Sequence, residues 1–155
     1  MNKTAVFPGS FDPVTIGHVD IVTRALAVFD NIVIGIGVNS SKQSLFPLEK
    51  RMEWLGKVFE GEPNIEVEQY QGLTVDFCNN VGAKFIVRGL RSVADFEFER
   101  TIAQMNRSMY GDIETVFIVS SPELSAVNST IIREILKNGG DVSKFVPAAI
   151  DLSLD

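Results

Sequence analysis

The chain reads as an α/β fold: one Rossmann-like domain with a five-stranded parallel sheet covered by helices on both faces. Three observations carry that reading. Short apolar runs alternate with segments whose apolar residues recur at helical spacing. The runs are strongly apolar, as strands buried on both faces are. No repeat, low-complexity segment or long linker interrupts the alternation, so residues 1–155 are expected to form a single domain.

The elements follow in order. "TAVFP" is a short buried strand, and Val22, Ala25, Leu26 and Phe29 then recur on a helix beginning near Gly17-His18. "NIVIGIGV" (31–38) is a second strand, its glycines placed where another backbone or a ligand can come close. Leu48, Met52, Leu55 and Phe59 mark a helix ended by Gly61-Glu62-Pro63. "IEVEQY" alternates as a strand, and a short helix is expected over 74–81. "AKFIV" is the next buried strand, followed by a long helix with Phe98, Ile102, Met105 and Met109 on one face. "ETVFIV" is the fifth strand. Ile132, Ile135 and Leu136 mark a last helix stopped by Asn138-Gly139-Gly140, and "FVPAAIDLSLD" reads as a short helix or an ordered tail.

Composition narrows the function classes. With 45% hydrophobic and 22% charged residues, the 155-residue chain can build a sizeable core. Its single cysteine, Cys78, excludes an intrachain disulfide, and neither a leader nor a bilayer-length apolar run is seen, so a cytoplasmic setting is expected. A net charge of -6 without a basic stripe argues against a nucleic-acid partner. A small phosphorylated ligand remains compatible where a few cations share one cleft.

Ligands of open parallel sheets bind beyond the carboxyl ends of the strands, where strand order reverses. The loops after the strands hold the unusual polar residues. In "FPGSFDPVTIGH" the only histidine, His18, lies one helical turn before Val22, on the extension of the core-facing stripe. It either caps the helix or faces an anion together with the helix amides. Lys42 follows the second strand and is either a solvated lysine or a phosphate contact. "VRGLRSVADFEFER" puts Arg88 at the end of a strand and Arg91 just beyond Gly89. Two such cations either share an anion or splay onto carboxylates such as Asp95 or Glu97. Glu99 either reaches a ribose, orders Arg91 or is only a salt-bridge partner. "VNSTIIREI" offers Asn128, Ser129 and Thr130 as a helix cap or as an anion nest.

"T-x-G-H" (Thr15 to His18) resembles the first signature of the nucleotidyltransferase superfamily, and "V-N-S-T-x-x-R" resembles its second, usually "I-S-S-T-x-x-R/K", with Asn128 departing from serine. "GSFDPVTIGHVDIVTRA", "RGLRSVADFEFE" and "MNR" together resemble the bacterial phosphopantetheine adenylyltransferase family over nearly the whole chain, in order.

That resemblance implies transfer of the adenylyl group of ATP to 4′-phosphopantetheine by direct in-line attack, with Mg²⁺ carried mainly by the ATP phosphates and no dedicated metal ligands. It implies catalytic roles for His18, Lys42 and Arg91. Contacts to ATP are implied for Ser10, Phe11, His18, Gly89, Leu90, Arg91, Glu99, Leu124, Ser125, Ala126, Val127, Asn128, Ser129 and Thr130. Contacts to phosphopantetheine are implied for Ser10, Lys42, Thr74 and Arg88. Relatives often carry a larger residue where this chain has Leu124. A homohexamer, inhibition by coenzyme A and the absence of a membrane partner are implied as well. The competing readings are a nicotinate-mononucleotide adenylyltransferase or cytidylyltransferase, which share both signatures but not the "RGLR…DFEFE" block, and a non-catalytic nucleotide sensor on the same fold.

Overall fold

A computed structural model describes residues 2–39 and 43–152, in the order β1 (Thr4–Gly9), α1 (Ile16–Ala25), β2 (Asn31–Gly37), α2 (Leu48–Val58), β3 (Ile65–Tyr70), α3 (Thr74–Val81), β4 (Phe85–Leu90), α4 (Val93–Met109), β5 (Glu114–Val119) and α5 (Ser129–Lys137), with a 3₁₀ turn over Pro122–Leu124 before α5. The five strands form one parallel sheet in the order β3-β2-β1-β4-β5. The α/β class and the expected helices and strands are borne out.

Period-two alternation builds a core on each face of the sheet. Ala5, Phe7, Ile32, Ile34, Ile36 and Val87 point to one face, where they meet Ile21, Val22 and Ala25 of α1 and Trp54 and Leu55 of α2. Val6, Val33 and Ile86 point to the other and meet Val75, Phe77 and Cys78 of α3. The glycines of β2 serve this packing rather than a ligand at Gly35: a Cβ there would lie 2.8 Å from the Phe77 ring and 3.0 Å from that of Tyr70. The missing side chain lets the Tyr70–Phe77 pair, stacked at 4.4 Å, lie flat on the strand.

Strand order reverses between β1 and β4. Their pairing covers only Ala5↔Phe85 and Val6↔Ile86, whereas β1 and β2 pair over six positions. The sheet therefore splits toward its carboxyl edge. Strand β4 runs further than the apolar run "AKFIV", because Arg88, Gly89 and Leu90 continue the ladder with Phe117, Ile118 and Val119. Thus Arg88 lies in the strand, as expected, and Gly89 and Leu90 belong to it as well rather than to the turn after it. The described residues after α5 form turns rather than a helix, in line with the ordered-tail alternative. They are tied down by Val142 and Val146 packing on Ile132, and the Phe145 carbonyl accepts the Ile16 N–H at 3.0 Å, holding the start of α1. Among the described residues no helix is long and apolar enough to cross a membrane.

Candidate active site

The cap of α1 settles how His18 sits. Thr15 is the N-cap, its Oγ1 accepting the His18 N–H at 3.2 Å, while the Thr15 N–H donates to His18 Nδ1 at 2.9 Å. This reciprocal arrangement is a capping box with histidine in the glutamate position. The capping reading of His18 is thus observed, and the same geometry leaves the ring on the wall of a cleft. With Nδ1 accepting, the ring proton resides on Nε2. Burial, followed by the charges of Arg88 and Arg91, lowers the pKa of His18 to about 3. The imidazole is neutral at physiological pH, with its one ring proton on Nε2. Phe11 packs edge-on against the ring, with centroids 4.8 Å apart.

The start of α5 faces the start of α1. Asn128 is the N-cap, its Oδ1 accepting the Ile131 N–H at 2.9 Å, which is the task a serine performs at such a position. Ser129 Oγ donates to the Pro13 carbonyl at 2.8 Å and Arg133 Nη1 to the Asp12 carbonyl at 2.9 Å, so α5 is fastened to the β1–α1 loop.

Between these helix starts lies a cleft of about 330 Å³ lined by Ser10, Phe11, His18, Gly89, Leu124, Val127, Asn128, Ser129 and Thr130, and by three arginines, Arg88, Arg91 and Arg133. Among the described residues no carboxylate belongs to this lining. Gly89 is needed here, because a Cβ would meet Ile21 of α1 at 3.0 Å. Two helix N-termini and three guanidinium groups make a strongly anion-attracting pocket in an acidic chain.

A second chamber, of about 250 Å³, shares Pro8, Gly9 and Arg88 with the first. Tyr70, Thr74, Phe98, Glu99, Ile102 and Asn106 contribute to its wall. Arg88 stands where the sheet splits and where the chambers join. Its Nη1 donates to the Pro8 carbonyl at 2.6 Å, bridging β4 and β1. Its Nε and Nη2 make a two-pronged pair with Glu99 at 3.0 and 2.8 Å.

Most residues expected at the site gather in the first cleft, but several do not. Glu99 pairs with Arg88 rather than Arg91 and lines the second chamber, as does Thr74, whose Oγ1 lies 2.8 Å from Tyr70 Oη. Arg91 is held by Asp95, which accepts both its backbone N–H (2.9 Å) and its Nε (3.2 Å). Glu97 takes neither arginine. Two residues round the helix from both Asp95 and Glu99, it faces outward and pairs with Arg100. Leu90 ends the β4 ladder outside the lining, and Ser125 and Ala126 are exposed on the turn before α5, the Ser125 hydroxyl donating to the Pro122 carbonyl at 2.9 Å. Lys42 lies outside the described residues.

Three charged residues at or beside the site escaped the sequence reading. Arg133 is the last letter of "V-N-S-T-x-x-R". Asp12 and Arg51 are buried charges, and Arg51 stands three residues after Leu48 and four before Leu55, a cation on an apolar stripe.

The comparisons with known proteins agree with this geometry. A family model described as cytidylyltransferase-like matches residues 6–135, and the chain belongs to that family of nucleotidyltransferases. Within it the chain belongs with the phosphopantetheine adenylyltransferases: it is 50% identical over 150 residues to the phosphopantetheine adenylyltransferase of Bacteroides fragilis, covering 97% of this chain and 99% of the relative. It is 48% identical to that of Flavobacterium psychrophilum, over 96% of this chain and 97% of the relative. Solved structures share the fold at much lower identity. A candidate nicotinate-nucleotide adenylyltransferase from Vibrio parahaemolyticus superposes with a TM-score of 0.71 at 18% identity, covering 96% of both chains. A bifunctional NMN adenylyltransferase/ADP ribose pyrophosphatase from Francisella tularensis superposes with a TM-score of 0.72 at 16% identity over 94% of this chain, which spans 45% of that protein.

Proposed function

We infer that this chain transfers the adenylyl group of ATP to 4′-phosphopantetheine, releasing pyrophosphate and forming dephospho-coenzyme A. Full-length kinship with phosphopantetheine adenylyltransferases supports the substrates. The carrying structural observation is the position of Arg88, shared between an anion-attracting cleft and a more apolar chamber suited to a pantetheine arm.

The chemistry follows from the donors present. A phosphate oxygen of phosphopantetheine is already anionic, so in-line attack on the α-phosphorus of ATP needs no general base. As that P–O bond forms, the bond to the β,γ-diphosphate breaks, and pyrophosphate departs with the electron pair. The protein's task is to bring two anions together and stabilise charge on the non-bridging α-oxygens. Neutral His18 does so through Nε2–H, assisted by the anionic acceptor alone. Arg91 and Lys42 supply positive charge, and Arg88 with Lys42 and Ser10 receives the phosphate of phosphopantetheine, its arm lying toward Thr74. Ser10, Phe11, Gly89, Leu90, Arg91 and the segment 124–130 serve ATP. Glu99, expected at the nucleotide, acts instead by holding Arg88 for the phosphopantetheine phosphate.

A divalent cation, Mg²⁺ in this reading, enters as part of the substrate. The cleft offers hydroxyls and backbone groups rather than a carboxylate cage, and no group of three potential ligands occurs among the described residues. That donor set fits a cation held chiefly by phosphates and water. Self-association, as a homohexamer in this reading, is in keeping with the apolar residues that α4 leaves exposed, including Phe98, Met105 and Met109. Coenzyme A, which contains both substrate halves, is the expected feedback inhibitor, and the cytoplasm the expected location.

The test is pyrophosphate release with ATP and Mg²⁺, offering 4′-phosphopantetheine and nicotinate mononucleotide in parallel. Turnover with phosphopantetheine alone is expected. Turnover with nicotinate mononucleotide alone overturns the substrate assignment.

A further inference from the structure

Four polar or charged residues are buried among the described positions: Asp12, Thr15, Arg51 and Glu99. Two have tasks given above, since Thr15 orients His18 and Glu99 holds Arg88. We propose that the other two, Asp12 and Arg51, are positioning residues for adenylyl transfer, forming one latch that fixes the Ser10–Phe11 backbone against His18; the proposal rests on the function inferred above.

The latch closes on Phe46. The carboxylate of Asp12, 4% exposed, accepts the N–H of Leu45 at 2.8 Å and that of Phe46 at 2.9 Å. Arg51, 7% exposed on the first turn of α2, donates from Nε to the Phe46 carbonyl at 3.0 Å and from Nη1 to the Ser10 carbonyl at 2.8 Å. Phe46 is thus gripped on both its N–H and its C=O, and its ring is wedged on Trp54 with centroids 4.8 Å apart. Between the two anchored points, Ser10 and Asp12, sits Phe11 with φ at 49°, a left-handed conformation that a non-glycine residue keeps only when its surroundings over-determine it. Its ring is the one against the His18 imidazole. Fastening this loop twice to α2 and its preceding segment is more than packing needs, because the ring of Phe11 is already buried in the core.

The alternative is that the two charges merely hold the fold together. Size-conserving variants separate these roles: Asp12→Asn, which sets an amide NH₂ against a backbone N–H, Arg51→Met, which removes both donations, and Arg51→Lys, which keeps one. In the folded variants kcat for pyrophosphate release should fall about 10–100-fold for a small displacement of the reacting groups. The ATP dissociation constant should move far less, and Arg51→Lys should recover part of the loss. The Asp12→Asn, Arg51→Met double variant should lose little more than the worse single one, as residues sharing one device do.

Because His18 is the only histidine, its ¹⁵N imidazole signals report the loop without any turnover. They should show one Nε2–H tautomer in the unaltered protein and a shifted or tautomer-mixed pattern in the variants. Folded variants with kcat within about twofold of the parent, losses that multiply in the double variant, or an unmoved imidazole signal each overturn the latch. Inactivity of the unaltered protein toward phosphopantetheine would contradict the proposed function instead, and the imidazole signal would still decide the latch.

Discussion

Helices α1 and α4 both start at the carboxyl edge, after neighbouring strands β1 and β4 but on opposite faces of the sheet, and each carries apolar residues at helical spacing. They use them oppositely. The stripe of α1 (Ile21, Val22, Ala25) is buried on its own sheet. On α4 the one buried residue is the charged Glu99, 8% exposed, while Phe98 and Met105 stand 67% and 61% exposed. Periodicity reports where a helix has a sticky face, not what covers it. The polar residues turned toward the site differ as well: α1 presents a neutral imidazole donor, α4 a carboxylate already spent on Arg88.

Substitutions can break this comparison at either helix. The largest effect is expected at α1. His18→Ala removes a donor aimed at the reacting phosphate and should lower kcat by ~10²–10³ with the fold intact. A folded variant near full kcat would remove His18 from the chemistry. At α4, Glu99→Gln leaves Arg88 without its charged partner. It should raise KM for phosphopantetheine by roughly 10–100-fold, the equivalent of ~1.5–3 kcal/mol for a charged hydrogen bond. A rise in KM for ATP alone would return Glu99 to the nucleotide.

A third test concerns the outer face of α4. If a second copy covers it, size-exclusion chromatography should show the parent well above its 17.1 kDa chain mass and Tm rising with protein concentration. Met105→Glu with Met109→Glu should abolish both. An unchanged elution volume would place the interface elsewhere.

The smallest effect is on acid stability. His18 has a folded-state pKa of about 3 against 6.5 for the unfolded chain, so between those values the unfolded state binds the extra proton. This contribution to stability is complete above pH 6.5 and is lost as pH falls toward 3. Between pH 7.5 and 5 the parent should lose more Tm than His18→Gln does, and the imidazole of the folded parent should not titrate in that range. An imidazole that titrates near 6.5 contradicts the neutral assignment.

The fold was legible in the sequence because a parallel sheet imprints both of its periods: apolar runs for strands buried on two faces, and 3.6-residue stripes for the covering helices. The expected helix over 74–81 coincides with α3. Where β4 ended was less legible, since Gly89 and Leu90 look like loop residues until β5 is seen pairing with them. Within the site, residues on signature loops were readable, because a helix start after a strand constrains them locally. The partners of those residues were not. Glu99 meets Arg88 through a helix rotation and a strand extension, and Arg51 meets Ser10 across 41 positions. Such contacts depend on tertiary packing, and their only trace in sequence is a charge where an apolar residue would fit.

The most direct test of the function follows the phosphorus itself: ATP labelled at the α-phosphate, incubated with Mg²⁺ and 4′-phosphopantetheine. Label appearing in dephospho-coenzyme A, with unlabelled pyrophosphate released in equal amount, is the expected result. Label retained in ADP, with the γ-phosphate passed to the acceptor, would contradict adenylyl transfer.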